Sequence, residues 1–243
     1  MTSGTLYGIG VGPGDPELIT LKALRILRSS PVIAYPAPDT GPSFARQIVE
    51  SHLPGGQEEI AIVIPMRVER FPGQAIYDQA AEKIGARLAA GEDVAVLCEG
   101  DPFFYGSFMY LFERLAGRFP SEIVPGISSV MAAAAALRRP LAARNDVLTV
   151  IPGPLPDAEI ATQIEAAQGF AIMKLGRHFA RVRALLDALG LTENCAYLER
   201  VSLPAERVMP LADARGDAPY FSMILGYRGS EPAIAAIPAG RVS

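Results

Sequence analysis

Cysteine and histidine are scarce in this chain of 243 residues, which holds two of each. Cys98 and Cys195 lie far apart without a Cys-x-x-Cys spacing, so the sequence predicts two separate buried thiols in a reducing compartment and no disulfide framework. Since His52 and His178 are the only histidines, a histidine-based metal site is not expected, and we predict that the protein binds no metal.

The sequence also argues against a membrane or a nucleic acid as the partner of this protein. No uncharged apolar run reaches the length of a membrane span, and no charged and apolar leader opens the chain, so we expect a cytoplasmic protein. The net charge of −4 argues against nucleic acid, because proteins that bind it normally carry a basic surplus. Residues 1–124 hold 15 acidic and 10 basic side chains, whereas residues 125–243 hold 11 and 12.

The order of the predicted elements indicates an α/β protein with two domains. Strand candidates in the first half are 5–9, 31–35, 59–64, 93–98 and 122–124, and helix candidates are 16–29, 43–52, 74–90 and 106–117. This alternation is typical of a parallel sheet with helical crossovers. In the second half, strands at 147–151, 169–174, 195–200, 206–210 and 219–227 outnumber helices at 128–137, 158–167 and 178–189, which favours a mixed sheet. We therefore predict domains at 1–122 and 123–243.

Three loops share one construction, because each follows a strand candidate and precedes a helix candidate. They are Gly8–Pro16 (GIGVGPGDP), Glu99–Gly106 (EGDPFFYG) and Pro125–Ser129 (PGISS). Loops after parallel strands meet at the carboxyl edge of the sheet, where open α/β proteins bind ligands. The sequence therefore predicts one ligand site built from the three loops.

The first loop does not fit a dinucleotide-binding fingerprint, which needs glycine at the first, third and sixth positions. Counted from Gly8 the sixth residue is Pro13, and counted from Gly10 it is Asp15. We expect Asp15 to cap a helix that has Pro16 at its first position, and Asp101–Pro102 to repeat this arrangement. For either loop alone, an ordinary helix start is an alternative to a binding site.

Two basic groups in the second half suit an anionic ligand. The first consists of Arg138, Arg139 and Arg144, and the second of Lys174, Arg177, His178, Arg181 and Arg183. A solvated helix face is the alternative for the second group.

The segment Tyr7–Thr20 (YGIGVGPGDPELIT) resembles the opening motif of the tetrapyrrole (corrin and porphyrin) methylases. Later motifs of that family follow in the right order, at Gly100–Gly106, Pro125–Ser129, Met173–Lys174 and Glu199–Val208, so the resemblance extends over nearly the whole chain. The forms of four segments look most like the branch that methylates precorrin-2 at C20. These segments are Tyr35–Pro38, Cys98–Ser107, Met173–Gly176 and Pro219–Met223.

The resemblance implies transfer of a methyl group from S-adenosylmethionine to C20 of precorrin-2, giving precorrin-3A in cobalamin biosynthesis. It also implies a homodimer of chains with two α/β domains and a ligand cleft between the domains. The cofactor site that it implies consists of Pro13, Gly100, Asp101, Ser128, Ser129, Met173, Val201 and Tyr220. A C20-methyltransferase for the cobalt-loaded ring, another precorrin methylase and a non-catalytic tetrapyrrole carrier remain alternatives.

Candidate substrate contacts follow from the carboxylates that ring a precorrin. They are Tyr35, Arg46, Arg144, Lys174 and Arg177, with Arg67 as a further candidate. Tyr35 fits a core aromatic equally well. No catalytic residue is identified, although Asp101, Tyr105 and water are candidates for removing the proton from the methylated carbon.

Overall fold

A computed structural model describes residues 2–65 and 73–235, so the candidate Arg67 lies outside the described residues. The chain divides into two compact units, Met1–Ser128 and Ser129–Ser243. The predicted domain boundary after residue 122 stays a prediction. No helix in the described part of the chain is long and apolar enough to cross a membrane.

The described part of the first unit contains a parallel sheet of five strands. They are β1 (Leu6–Gly10), β2 (Val32–Pro38), β3 (Glu58–Ile64), β4 (Val94–Cys98) and β5 (Ser121–Val124). The helices of this unit are α1 (Leu21–Ser29), α2 (Phe44–Val49), α3 (Gly73–Ala89) and α4 (Phe108–Leu115). The strand order is β3-β2-β4-β1-β5, so β1 lies between β4 and β5. The loops that follow these three strands are therefore neighbours at the carboxyl edge.

The described part of the second unit contains a mixed sheet of five strands, as predicted. They are β6 (Leu148–Pro152), β7 (Gly169–Met173), β8 (Cys195–Glu199), β9 (Arg207–Pro210) and β10 (Ser222–Tyr227), in the order β6-β7-β10-β8-β9. The helices are α5 (Ser129–Leu137), α6 (Asp157–Glu165), α7 (Phe179–Ala188) and α8 (Pro232–Ala235). Strands β6 and β7 are parallel, and β10 is antiparallel to both β7 and β8.

Both sheets are covered by helices on their two faces, which explains the long apolar runs of the central strands. Every residue of β4 is buried. One of its faces packs with α3 and α4, and the other with α1 and α2. In the second unit, α6 and α7 cover one face of the sheet and α5 covers the other. Each fully buried leucine in these layers stabilises the fold by about 1.5 to 3 kcal/mol.

The predicted helix 16–29 is wrong as a single element. Asp15 caps a short 3-10 helix, Pro16–Leu18, through a 2.8 Å bond from the Glu17 N–H to its Oδ1. Thr20 is extended and caps α1, where the Ala23 N–H donates to its Oγ1 at 3.2 Å. The helix splits because this second capping residue restarts it.

Candidate functional site

The first two glycine-bearing loops are hydrogen-bonded to each other. The Val11 N–H donates to the Cys98 carbonyl at 2.9 Å. Beyond it, Gly12 and Gly100 exchange backbone bonds of 3.3 Å and 2.8 Å. The two loops are thus bonded to each other beyond the ends of β1 and β4, and this contact places Pro13 next to a residue bonded to Gly100.

The third loop packs against the other two where neither side carries a Cβ. A Cβ on Gly10 would lie 2.5 Å from the Gly126 Cα and 2.6 Å from the Gly100 oxygen. A Cβ on Gly126 would lie 2.0 Å from that same oxygen. Only glycine allows backbones to approach this closely. The predicted convergence of the three loops is therefore confirmed.

The Asp101 side chain ties the second loop to the third. Its Oδ1 accepts bonds from the N–H groups of Phe103 and Phe104 at 2.9 Å and 3.0 Å. Its Oδ2 accepts a bond from the Gly126 N–H at 3.0 Å. The same bonds hold the chain in a turn, so α4 begins at Phe108 and the predicted helix 106–117 is wrong at its start. The Asp101 carboxylate therefore has a structural role, because it holds the second loop against the third. Accepting a proton would weaken the bonds that do this.

Exposed aromatic side chains follow Asp101 in the second loop. Phe103, Phe104 and Tyr105 are 51%, 37% and 45% exposed. Tyr105 has a φ of 58°, in the left-handed region that a tyrosine rarely adopts. Backbone strain of this kind is concentrated at functional sites, where the surrounding structure enforces it. No local sequence pattern predicts this strain.

The serines of the third loop have different environments. Ser128 is buried, and its Cα lies 3.7 Å from the position of a Cβ on Gly100, so it packs against the second loop. Ser129 is the first residue of α5 and belongs to the second unit. The first unit thus places Pro13, Gly100, Asp101 and Ser128 of the predicted cofactor site at one sheet edge.

The predicted cofactor residues of the second unit also share a sheet edge. Met173 is the last residue of β7 and pairs with Met223 of β10. Val201 follows β8, Tyr220 precedes β10, and the β8 and β10 ends pair directly. Because β7 and β8 end where β10 begins, Met173, Val201 and Tyr220 lie at the same edge of the sheet. Their contacts with a cofactor remain a prediction.

Strained backbone marks this second edge as well. Lys174, Arg200 and Ser202 have φ angles of 59°, 51° and 64°. The Arg200 N–H donates to the Phe221 carbonyl at 2.8 Å, and the Ser202 N–H donates to the Glu206 carboxylate at 2.9 Å. These bonds hold the loop after β8 in a conformation that the isolated chain would avoid.

Glu199 is a buried carboxylate beneath this loop, and its side chain is 4% exposed. It accepts a 2.7 Å bond from the Tyr197 hydroxyl and a 3.0 Å bond from Arg207. Arg200 lies 3.5 Å away. Burial and the adjacent carboxylate raise the pKa of Tyr197. In the sequence, Glu199 stands out only as part of the family motif. Its partner Arg207 is brought next to it by the pairing of β8 with β9, which the local sequence does not show.

Two predicted substrate residues of the first unit bind other side chains. The buried Tyr35 donates a 2.6 Å bond to Glu59, and Arg46 donates to the same carboxylate at 2.8 Å and to Glu50 at 3.2 Å. Burial, then the Glu59 contact, raises the pKa of Tyr35. The geometry favours the core alternative for Tyr35, and a substrate role for either residue stays a prediction.

The basic groups of the second unit are not all at the surface. Arg139 is 6% exposed and donates to the carbonyls of Leu225 and Asn194 at 3.2 Å and 3.5 Å. Burial lowers the pKa of Arg139. The hypothesis of an anion-binding role is therefore wrong for this residue, which stabilises buried carbonyl groups.

The other candidates of these groups are more accessible. The Arg144 side chain is 83% exposed and pairs with Glu231 at 3.2 Å. Arg177 is exposed next to His178. Desolvation, then Arg177 and Arg181, lowers the pKa of His178. Arg181 pairs with Asp157.

The two thiols lie apart from each other, each within the core of its own unit. Cys98 and Cys195 are free and buried, which confirms the prediction of two separate thiols. Burial raises the pKa of Cys195 to about 12 and also raises that of Cys98. In the described residues, no three His, Cys, Asp or Glu side chains come together in a metal-binding group.

Two α/β units, whose described residues form one parallel and one mixed sheet, define the fold class of this protein. A family model described as Tetrapyrrole (Corrin/Porphyrin) Methylases matches residues 5–214. The chain belongs to this family, which confirms the resemblance seen in the sequence.

The relatives include proteins named for one particular methylation. The chain is 39% identical to a precorrin-2 C(20)-methyltransferase of Sinorhizobium, with 91% of this chain and 94% of that protein covered. It is 35% identical to a cobalt-precorrin-2 C(20)-methyltransferase of Salmonella typhimurium, with 92% and 96% covered.

A third relative is much longer. The chain is 44% identical to cobalamin biosynthesis protein CobIJ of Mycobacterium tuberculosis, over 91% of this chain. It spans about half of that relative, 46% of its length.

The fold is similar to solved structures of the family. One is the uroporphyrin-III C-methyl transferase of Thermus thermophilus complexed with S-adenyl homocysteine. The TM-score is 0.68 at 25% identity, with 92% of this chain and 97% of that chain covered.

Proposed function

We propose that this chain is an S-adenosylmethionine-dependent methyltransferase that converts precorrin-2 to precorrin-3A by methylating C20. The observation that carries the proposal is the 39% identity to a precorrin-2 C(20)-methyltransferase over 94% of its length. The convergence of the three loops at one sheet edge supports it, because that edge is where an α/β protein of this kind binds a ligand.

The methyl donor would contact residues at the two sheet edges described above. In the first unit these are Pro13, Gly100, Asp101 and Ser128, and in the second they are Ser129, Met173, Val201 and Tyr220. Asp101 would act indirectly, since its bonds to Phe103, Phe104 and Gly126 fix the backbone of two loops. The complex of the Thermus relative with S-adenyl homocysteine supports a ligand of this chemistry.

The reaction depends more on the relative position of the methyl donor and the ring carbon than on further activation of either one. A sulfonium methyl group is already a good electrophile, and the conjugated nitrogens of the ring make C20 electron-rich. A carbon–carbon bond forms at C20 as the sulfur–methyl bond breaks, and its electron pair passes to sulfur. Holding the reactants in line contributes about 7 to 11 kcal/mol to such a reaction. Rigid loops fixed by glycine contacts suit that task.

Basic residues of the second unit, of which Arg144 and Arg177 are exposed and Lys174 is half-buried, would bind the carboxylates of the ring. Arg144, Lys174 and Arg177 remain the candidates, and each exposed pair contributes only about 0.2 to 1 kcal/mol. Recognition would therefore depend on several weak pairs acting together. Tyr35 and Arg46 are weaker candidates, because Glu59 and Glu50 already bind them.

Isotope labelling tests the proposal. The protein is supplied with precorrin-2 and a methyl donor labelled with carbon-13, and NMR locates the label in the product. Label at C20 is expected, whereas label at another carbon refutes the assignment. A carrier would bind the ring and leave the donor unconsumed.

The cobalt-loaded ring is the second candidate substrate, favoured by the similarity to the Salmonella enzyme. Parallel assays with metal-free and cobalt-loaded precorrin-2 distinguish the two by kcat/KM. Ligand-induced stabilisation offers a rapid check of the donor, since a ligand at 100 times its Kd adds about 2.7 kcal/mol to the free energy of unfolding. S-adenosylhomocysteine should raise the melting temperature, and NAD should not.

We further propose that the protein acts in the cytoplasm as a homodimer, as the family resemblance implies. Light scattering after gel filtration measures the mass in solution, and a monomer would contradict the proposed homodimer. Fractionation of the source cells tests the cytoplasmic location.

A further inference from the structure

Two arginines meet at the sheet edge of the second unit, and neither belongs to the basic groups that the sequence suggests. Arg200 directly follows Glu199, the last residue of β8, and Arg207 is the first residue of β9. Glu199 pairs with Arg207 on one side and with Ser222, the first residue of β10, on the other. The strand pairing therefore brings both arginines to the edge that also carries Val201.

Glu199 holds both guanidinium groups through one carboxylate. Its Oε1 accepts a bond from Arg207 Nη1 at 3.0 Å, and Arg200 Nη1 lies 3.5 Å from the same oxygen. Its Oε2 accepts a bond from the Tyr197 hydroxyl at 2.7 Å. The Glu199 side chain is buried, whereas the side chains of Arg200 and Arg207 are 45% and 59% exposed. The carboxylate thus anchors the guanidinium groups from the protein interior, and their outer parts face solvent.

The two anchored guanidinium groups can bind a further anion. Each carries several N–H donors in a planar fork that matches the oxygens of a carboxylate. Because both contacts with Glu199 end on the same oxygen, two like charges are neighbours, and a second carboxylate would reduce their repulsion. Glu206, another carboxylate of this loop, accepts a 2.9 Å bond from the Ser202 N–H, which ties it to the backbone.

Arg200 is also held in an unfavourable backbone conformation. Its φ of 51° lies in the left-handed region that an arginine rarely adopts. Its N–H donates to the Phe221 carbonyl at 2.8 Å, and Glu199 restrains the end of its side chain. Side chains that are ordered before a ligand arrives lose less conformational entropy on binding. The anchored pair of arginines is therefore prepared to bind an anion.

Both reactants of the proposed function carry carboxylates, but they differ in overall charge. The methyl donor has one carboxylate together with an ammonium and a sulfonium group, so two guanidinium groups would repel it as a whole. A precorrin carries many carboxylates around its rim, which makes it a strong anion. The charge of the arginine pair therefore favours the ring over the donor.

We propose that Arg200 and Arg207, anchored on Glu199, bind a carboxylate of the tetrapyrrole substrate. This inference rests on the proposed function, which supplies the ring as the ligand. The reacting carbon must come within about 3 to 3.5 Å of the donor methyl group. Val201 is a proposed donor contact and directly follows Arg200, so a ring in that position has its rim near the two arginines.

The test compares Arg200→Gln with Arg25→Gln, which removes an exposed positive charge on α1. Glutamine is unbranched at Cβ like arginine, so the left-handed backbone costs both residues a similar strain. Arg200→Gln should raise the Kd for precorrin-2 about fivefold, the upper end for an exposed ion pair, and should reduce its dependence on salt concentration. Arg25→Gln should leave this Kd within about 1.5-fold of wild type, because an isolated surface charge contributes little.

Two results overturn the proposal. The first is a Kd for precorrin-2 that changes no more in Arg200→Gln than in Arg25→Gln, even if Arg200→Gln is less stable in urea. The second is a Kd for S-adenosylhomocysteine that rises as much as the Kd for precorrin-2, because the arginines would then bind the carboxylate of the donor. The expected change for S-adenosylhomocysteine is within about twofold.

Arg207→Lys covers the case in which Arg200→Gln misfolds. Lysine keeps a positive charge beside the buried Glu199 but lacks the planar fork. We expect the Kd for precorrin-2 to rise about threefold, within the range for a surface pair. A folded Arg207→Lys that binds precorrin-2 as tightly as wild type counts against the proposal.

The labelling experiment on wild type separates this inference from the proposed function. If wild type labels C20 and Arg200→Gln binds precorrin-2 like wild type, only the role of the arginines is lost. If wild type places no label at C20, the proposed function fails, whereas the comparison of Kd values still decides whether the arginines bind the ring.

Discussion

Replacing Gly126 by alanine tests whether the three loops form one rigid site. The new methyl group would lie 2.0 Å from the Gly100 carbonyl oxygen and 2.8 Å from the Gly10 Cα. Both neighbours are backbone atoms, so neither can rotate away as a side chain would. The third loop must shift, and the bond from the Gly126 N–H to Asp101 then lengthens or breaks.

The expected loss of stability combines the cost of the crowded methyl group with the loss of the bond between Gly126 and Asp101. Overpacking costs about 1 to 3 kcal/mol, and loss of a hydrogen bond to a charged group costs about 1.5 to 3 kcal/mol. We therefore expect Gly126→Ala to lower the free energy of unfolding by about 2.5 to 6 kcal/mol. Affinity for S-adenosylhomocysteine should fall at least about tenfold, which corresponds to about 1.4 kcal/mol.

Urea unfolding and calorimetric titration measure the two effects. Gly117→Ala is the matched control, because a Cβ at Gly117 meets no atom within 4 Å. It should change neither quantity by more than about 0.5 kcal/mol, as is usual for a surface substitution. The reasoning is refuted if Gly126→Ala is as stable as Gly117→Ala and binds the ligand equally well.

Further predictions concern the charged groups. Asp101→Asn places an amide N–H opposite the Gly126 N–H, and we expect a loss of about 1.5 to 3 kcal/mol in urea unfolding; a neutral result would mean that the loops do not depend on this bond. Arg177→Ala should weaken precorrin-2 binding modestly, with a smaller dependence of Kd on salt concentration, whereas an unchanged titration would remove Arg177 from the substrate site. The bond from Arg46 holds the pKa of the Glu59 carboxyl below its usual range, so this contribution to stability is present above the unfolded-state pKa of about 4.3 and is lost as pH falls through the lower folded value. Glu59→Gln should flatten that part of the stability–pH curve, and an identical curve would contradict the assignment.

The elements were predictable because the sequence marks them locally. The apolar run of β4 is unbroken, and the helical spacing of Ile84 and Leu88 places them in the core that α3 covers. Glycine and proline mark the ends of the strands, so the positions of the three loops could be predicted together with their meeting at one edge.

Contacts between distant residues were not predictable in the same way. The bond from the Gly126 N–H to the Asp101 carboxylate joins residues 25 positions apart. The bond from Arg139 to Leu225 joins residues 86 positions apart. Neither leaves a periodic pattern, so the sequence alone suggests Asp101 as a candidate base and Arg139 as part of an anion-binding group. Their partners depend on strand order, which local sequence does not contain.

At the first sheet edge, one carboxylate fixes the backbone of two loops. The short Asp101 side chain reaches the N–H groups of Phe103 and Phe104 in its own turn and the N–H of Gly126 in the third loop. Hydrogen bonds to a charged group contribute about 1.5 to 3 kcal/mol each, so these bonds resist movement of either loop. Loops held in this way would keep a bound methyl donor in one orientation, and an in-line methyl transfer depends on that positioning.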